Sequence, residues 1–169
     1  GAEITIEAGA GTAAAYTDQA YADAGATIVP DAAAAFAAGD IVFKIQRPMS
    51  AAEGTDELAL LRPGQTLMSP LGALTNKDLV QALAAKGVTS FALELIPRIT
   101  RAQSMDILSS QANLAGYKAV LLAANNYGRI FPQMMTPGGT LAPSRTFIMG
   151  VGVAGLQAIA TARRLGAIV

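Results

Sequence analysis

The chain has 169 residues, 52% of them hydrophobic and 14% charged, with 12 Lys+Arg balancing 12 Asp+Glu for a net charge of zero. One domain or slightly more is expected, with ample apolar material for a core and no basic footprint for nucleic acid or an anionic membrane surface. The absence of cysteine and histidine removes disulfides, thiolate nucleophiles and zinc–thiolate sites, together with the commonest general base and metal ligand, so no metal is expected.

The predicted elements alternate from the start. Ile4 and Ile6 suggest a strand, Gly9 and Gly11 a turn, and Ala13–Ala24 a helix closed by Gly25. Thr27–Val29 reads as a strand, after which Asp31 caps an alanine helix ending at Gly39. Ile41–Ile45 is an apolar strand stopped at Arg47-Pro48, because the residue before proline favours extended backbone. Thr55–Leu61 looks helical, with Pro63-Gly64 as breaker, and Thr66–Met68 is a strand. Thr75 suits an N-cap for a helix carrying Leu79, Leu83 and Ala84, Gly87 closes it, and Thr89–Leu93 is the next strand. Strands alternating with helices argue for right-handed βαβ units and a mainly parallel sheet.

After Pro97 the rhythm changes. Ser109–Asn125 reads as a long helix with broad apolar faces, and the Gly- and Pro-rich stretch Asn126–Pro143 reads as a joint. No run of about 18 apolar residues could span a membrane; Leu114–Ala124 is too short and contains Lys118. The fold class is α/β: an N-terminal doubly wound parallel-sheet lobe (1–106), joined by a long helix to the start of a Rossmann domain (107–169). The opening G-A-E-I-T-I-E reads as a strand under way, so both ends are expected to cut through a larger domain.

Two stretches carry chemistry. In Pro143–Gly166 an apolar run, Thr146–Met149, reads as a buried strand. It leads into Gly150, Gly152 and Gly155 at G-x-G-x-x-G spacing, then into a helix with Leu156, Ile159 and Ala160 on one face. Gly150 permits a tight turn, Gly152 lets backbone approach a pyrophosphate, and Gly155 allows close helix packing. The helix start, including Val153 and Ala154, offers N–H groups and a positive dipole end to phosphate. Arg163 and Arg164 suit the last turn and Gly166 the C′ position. An ordinary strand-turn-helix is the competing reading, and the acidic residue that reads a ribose would fall past Val169.

The second stretch runs from Pro97 through Arg98, Thr100, Arg101, Gln103, Ser104 and Asp106 to Ser109-Ser110-Gln111. It concentrates guanidinium, amide, hydroxyl and carboxylate groups after a strand, where open parallel sheets bind ligands. Plain helix capping explains it equally well: Thr100-x-x-Gln103 as a capping box, with Asp106 at a helix start. Elsewhere, Lys44 follows a strand and either faces a cleft or reaches solvent, and Arg47 is a surface arginine or a phosphate ligand. Glu94 is either paired or at a sheet edge, and Met134 and Met135 are expected to pack on the long helix.

P-R-I-T-R-A-Q-S-M-D, S-S-Q-A-N-L-A-G-Y-K-A-V and G-V-G-V-A-G-L-Q-A-I-A-T-A-R-R-L-G-A resemble the NAD(H)-binding component of proton-translocating nicotinamide nucleotide transhydrogenase, as do Phe43–Pro48 and Glu7–Gly11. Alanine dehydrogenases are the nearest relatives. The resemblance implies that Gln103 holds the nicotinamide amide, with Arg98, Asp106 and Ser109 as a polar wall around the ring and its ribose. The loop Gly150, Gly152, Val153, Ala154 and Gly155 would hold the pyrophosphate of NAD(H). It also implies a homodimer at the cytoplasmic face of a membrane, partnered by NADP(H)-binding and membrane-spanning components. In alanine dehydrogenases the lysine corresponding to Lys44 contacts the substrate carboxylate, and a histidine serves near the segment matching Ser69–Leu74. Oxidising an amino acid needs such a proton acceptor, whereas hydride transfer between two nicotinamides needs proximity and orientation. Transhydrogenation is therefore the expected function. Alanine dehydrogenase and a non-catalytic NADH-binding module are the alternatives, and the 169-residue piece alone is expected to be inactive.

Overall fold

The computed structural model describes residues 1–169. It divides into two compact units, Gly1–Ile96 and Pro97–Val169.

The first unit is built from short parallel strands joined by helices. Strands β1 (Thr5–Glu7) and β2 (Thr27–Val29) pair in parallel, with Thr5 opposite Thr27. Between them the expected single helix is broken. A 3₁₀ turn at Thr12–Ala14 ends where Ala15 turns left-handed (φ 61°), and α1 restarts at Asp18–Asp23. Thr17 causes the restart: its hydroxyl accepts from Ala20 N at 3.2 Å, a cap a mid-helix threonine could not supply. Helix α2 (Ala32–Ala38) is capped by Asp31, which accepts from Ala34 N at 2.8 Å.

Strands β3 (Ile41–Phe43), β4 (Thr66–Ser69) and β5 (Thr89–Ala92) form a parallel three-stranded sheet in that order. Helix α3 is a single turn, Glu57–Leu60, capped by Asp56, and α4 covers Lys77–Ala85. Thr75 does not cap α4. Its hydroxyl donates instead to Gly72 O at 3.0 Å, closing a turn, and the helix begins after Asn76. Alternation along the strands sends Val42 and Leu67 into a core with Phe36, Leu61, Leu71, Leu83 and Val88. The other face of the sheet presents the row Phe43, Met68 and Phe91, with the two phenylalanines exposed and Met68 half-buried between them.

The second unit opens with a 3₁₀ stretch, Thr100–Met105, followed by α5 (Ile107–Asn126). A hairpin of β6 (Met134–Thr136) and β7 (Gly139–Leu141) lies inside the stretch read as a plain joint. Met134 and Met135 sit on it exposed, Met135 almost wholly. Helix α6 covers Val153–Arg164, and Gly166 follows it at φ 88°, the left-handed position that relieves the helix end. The core joins Val120 of α5 to Phe131, Ala162 and Ala167, with Ala124, Ala158 and Leu165 packed around them. The buried stripe of α6 therefore runs through Ala158, Ala162 and Leu165. Leu156, which shares a face with Ile159 and Ala160, is exposed, because α5 lies against the small residues.

Thr146–Met149 forms no strand. A parallel bridge between Arg145 and Ile168 stands just before it, and Thr146 N donates to Ile168 O at 2.8 Å. Phe147 and Met149 are 86% and 88% exposed, the reverse of the buried run expected from their hydrophobicity. A strand needs a ladder, and one bridge does not supply it.

Candidate dinucleotide site

The polar stretch after Pro97 folds around one cavity. Arg98, Ile99, Ala102, Gln103, Asp106 and Ser109 line a volume of about 200 Å³. Thr100 and Gln103 make no capping box; backbone bonds such as Ala102 N to Ile99 O, 2.9 Å, close this turn without side chains. The cap belongs to Asp106, at the start of α5. Its Oδ1 accepts from Ser109 N at 2.9 Å and its Oδ2 from the Ser109 hydroxyl at 2.7 Å. These bonds, the hydroxyl first, outweigh desolvation and act with the nearby Arg98 guanidinium to hold the Asp106 carboxyl below its ordinary range. Asp106 is thus an anion at neutral pH, fixed by Ser109 with Arg98 nearby, while Gln103 contributes a neutral amide. Ligand pockets usually measure about 300–1,000 Å³, so this cavity suits a single ring rather than a whole dinucleotide. Ile99 and Ala102 had no signal in the sequence; only the 3₁₀ turn brings them to the lining.

The glycine loop has the geometry a diphosphate needs. Gly150 adopts φ 102°, closed to most side chains. A Cβ on Gly155 would stand 2.0 Å from Gly150 O, so only hydrogen there lets the helix start close on the loop. A Cβ on Gly152 would meet nothing within 4 Å, so the backbone is open to an approaching group. No side chain caps α6, whose first-turn N–H groups at Val153, Ala154 and Gly155 point out of its positive end. These residues fit a dinucleotide's diphosphate. Within the second unit, the cavity residues stand at the start of α5 and the loop at the start of α6. The two helices pack so closely that a Cβ on Gly116 of α5 would lie 2.2 Å from Ala154 O.

The remaining candidates belong to the first unit. Lys44 does not wave in solvent: its ammonium pairs with the buried carboxylate of Glu57 and lies 5.9 Å from the Phe36 ring centroid. The second oxygen of Glu57 accepts from Met49 N at 2.7 Å. Arg47 is engaged by Glu53, whose exposed carboxyl is lowered to about 2 by that guanidinium and by Ser50. Glu94 resolves as a backbone receptor, accepting from Leu71 N at 3.0 Å and Ala73 N at 2.8 Å. Burial opposes its ionisation, yet these N–H donors prevail and its pKa is lowered.

Residues 1–115 match the alanine dehydrogenase/PNT N-terminal domain and residues 119–169 the C-terminal domain of the same family. All 169 residues align at 59% identity with an NAD(P) transhydrogenase subunit alpha chain of Rhodospirillum rubrum, covering 44% of that protein. Against the subunit alpha of Cereibacter sphaeroides the identity is 48% over 99% of this chain and 31% of the relative. The alanine dehydrogenase of Mycolicibacterium smegmatis is 30% identical over 99% of this chain and 44% of its own length. Among solved structures, transhydrogenase from Sinorhizobium meliloti superposes with TM-score 0.90 at 48% identity, covering 98% of this chain and 48% of that one. An L-alanine dehydrogenase superposes with TM-score 0.80 at 30% identity, covering 98% and 44%. The chain spans less than half the length of these relatives. Its two matched regions, parallel α/β unit and glycine loop together place it in the alanine dehydrogenase/PNT family.

Proposed function

We propose that this chain belongs to the NAD(H)-binding component of a proton-translocating NAD(P) transhydrogenase. The observation that carries the reading is the 59% identity to a transhydrogenase subunit along all 169 residues, against 30% to alanine dehydrogenases. Bound NADH would supply the hydride, delivered to NADP⁺ held by a separate component. Gln103 would hold the carboxamide of the nicotinamide and set the plane of its ring. Arg98, Asp106 and Ser109 would wall the ring and its ribose, and the N–H groups at Gly152, Val153, Ala154 and Gly155 would receive the diphosphate. None of these groups need move a proton at the reacting carbons, which suits a site of amide, guanidinium and a locked carboxylate.

Partner components that bind NADP(H) and span the membrane, a homodimeric arrangement and a position at the cytoplasmic face belong to the same proposal. No helix of the chain is long and apolar enough to cross a membrane. The alanine dehydrogenase reading has the weaker similarity, and Ser69–Leu74 carries no histidine to accept a proton. Lys44, the residue that would meet an amino acid carboxylate, is already paired with Glu57.

The test is Gln103→Ala in the full-length protein assembled with its partners, assayed for hydride transfer from NADH to an NADP⁺ analogue. A fall of about a hundredfold is expected for a misaimed ring. An unchanged rate removes Gln103 from this role, and alanine-dependent reduction of NAD⁺ would move the assignment to the alternative.

A further inference from the structure

Gly116 sits in the middle of α5, buried where that helix meets the first turn of α6. A Cβ placed there would stand 2.2 Å from the Ala154 carbonyl oxygen, 2.9 Å from its carbon and 3.0 Å from the Ala154 Cα. All three are backbone atoms, so no rotamer change relieves the clash. An ordinary carbon–oxygen contact is about 3.3 Å, so α6 would have to retreat by about 1 Å. Ala154 lies between Gly152, the helix N-cap, and Gly155, which is itself pressed against Gly150 O. Displacing Ala154 therefore displaces the whole loop. Seven residues before Gly116, or about 10 Å along the helix axis, α5 carries Ser109, which fixes Asp106 in the cavity wall.

The geometry points to Gly116 as a positioning residue: it sets the spacing between the ring cavity at the head of α5 and the diphosphate loop at the head of α6. This rests on the dinucleotide reading given above and adds a residue that touches no atom of the ligand. A molecule spanning both regions feels the spacing; a molecule held by the loop alone does not. A misplacement of about 1 Å at such a site costs about a hundredfold in rate.

The experiment measures binding of NADH and of ADP-ribose, which has the diphosphate but lacks nicotinamide, to the full-length protein. Gly116→Ala is expected to weaken NADH at least tenfold while ADP-ribose changes less than threefold. Val120→Ala, which loosens the same helix pair without pushing it apart, should lower the melting temperature yet leave both affinities within threefold. If Gly116→Ala yields no folded protein, Ala158→Val, which adds bulk to the same interface one turn further along α6, is held to the same two-ligand criterion. Equal losses for both ligands, no loss for either, or the same split from Val120→Ala overturns the role of Gly116 while leaving the dinucleotide site standing. Failure of the unaltered protein to bind NADH overturns that site and this inference with it.

Discussion

Single side chains in this protein mostly serve the backbone. Glu94 gathers the N–H groups of Leu71 and Ala73 and so shapes the turn after β4. Its folded pKa lies below the ordinary 4.5, so its contribution to stability is present above that value and is lost as pH falls through the lowered one. Glu94→Gln keeps one acceptor and loses the other. In the full-length protein it should melt lower than wild type at pH 7, with the gap closing in acid below pH 4.5. A gap independent of pH would assign the loss to packing instead. Asp106 works in the same way on Ser109, so the residue that borders the cavity also starts the helix that carries it. The spacing of Arg98, Gln103, Asp106 and Ser109 was legible in the sequence because all four lie within twelve consecutive positions. The Lys44–Glu57 pair was not, because the two stand thirteen positions apart across a loop.

At the scale of elements, ends were better marked than faces. Asp31 and Gly166 act where a helix start and stop were expected, since capping is decided by the few atoms on either side. Gly166 also has no room for a side chain: a Cβ would stand 2.6 Å from Pro132 Cβ. Gly166→Ala combines that clash with a left-handed backbone worth about 1–2 kcal/mol. The full-length variant should unfold at lower denaturant by at least that amount; equal stability would mean Pro132 and the helix end adjust freely. Which stripe of α6 is buried was not legible, because the Leu156–Ile159–Ala160 face and the Ala158–Ala162–Leu165 row both follow helical spacing. Only the approach of α5, permitted by Gly116, chooses between them.

For the whole molecule, two compact units each carry apolar surface open to water. In the first, Ile41 and Phe43 are each 63% exposed and Ile45 is 80% exposed; in the second, Phe147 and Met149 exceed 85%. A parallel sheet is ordinarily covered on both faces, and contiguous apolar surface drives association. The 169-residue chain expressed by itself should therefore self-associate, seen as concentration-dependent sedimentation. A monomer at all concentrations with one cooperative melting transition would contradict this. The relatives are more than twice as long, which fits surfaces of this kind having more chain to meet.

The α/β alternation, the glycine loop and the helix ends at Asp31, Asp106 and Gly166 follow from the sequence alone, because each depends on steric limits and hydrogen bonds within a few residues. Tertiary structure alone decided that Glu57 claims Lys44, that Ile99 and Ala102 complete the cavity, and that Thr146–Met149 stays unpaired. Those outcomes depend on which distant atoms arrive first at a donor, a void or a ladder edge, and local pattern carries no information about that.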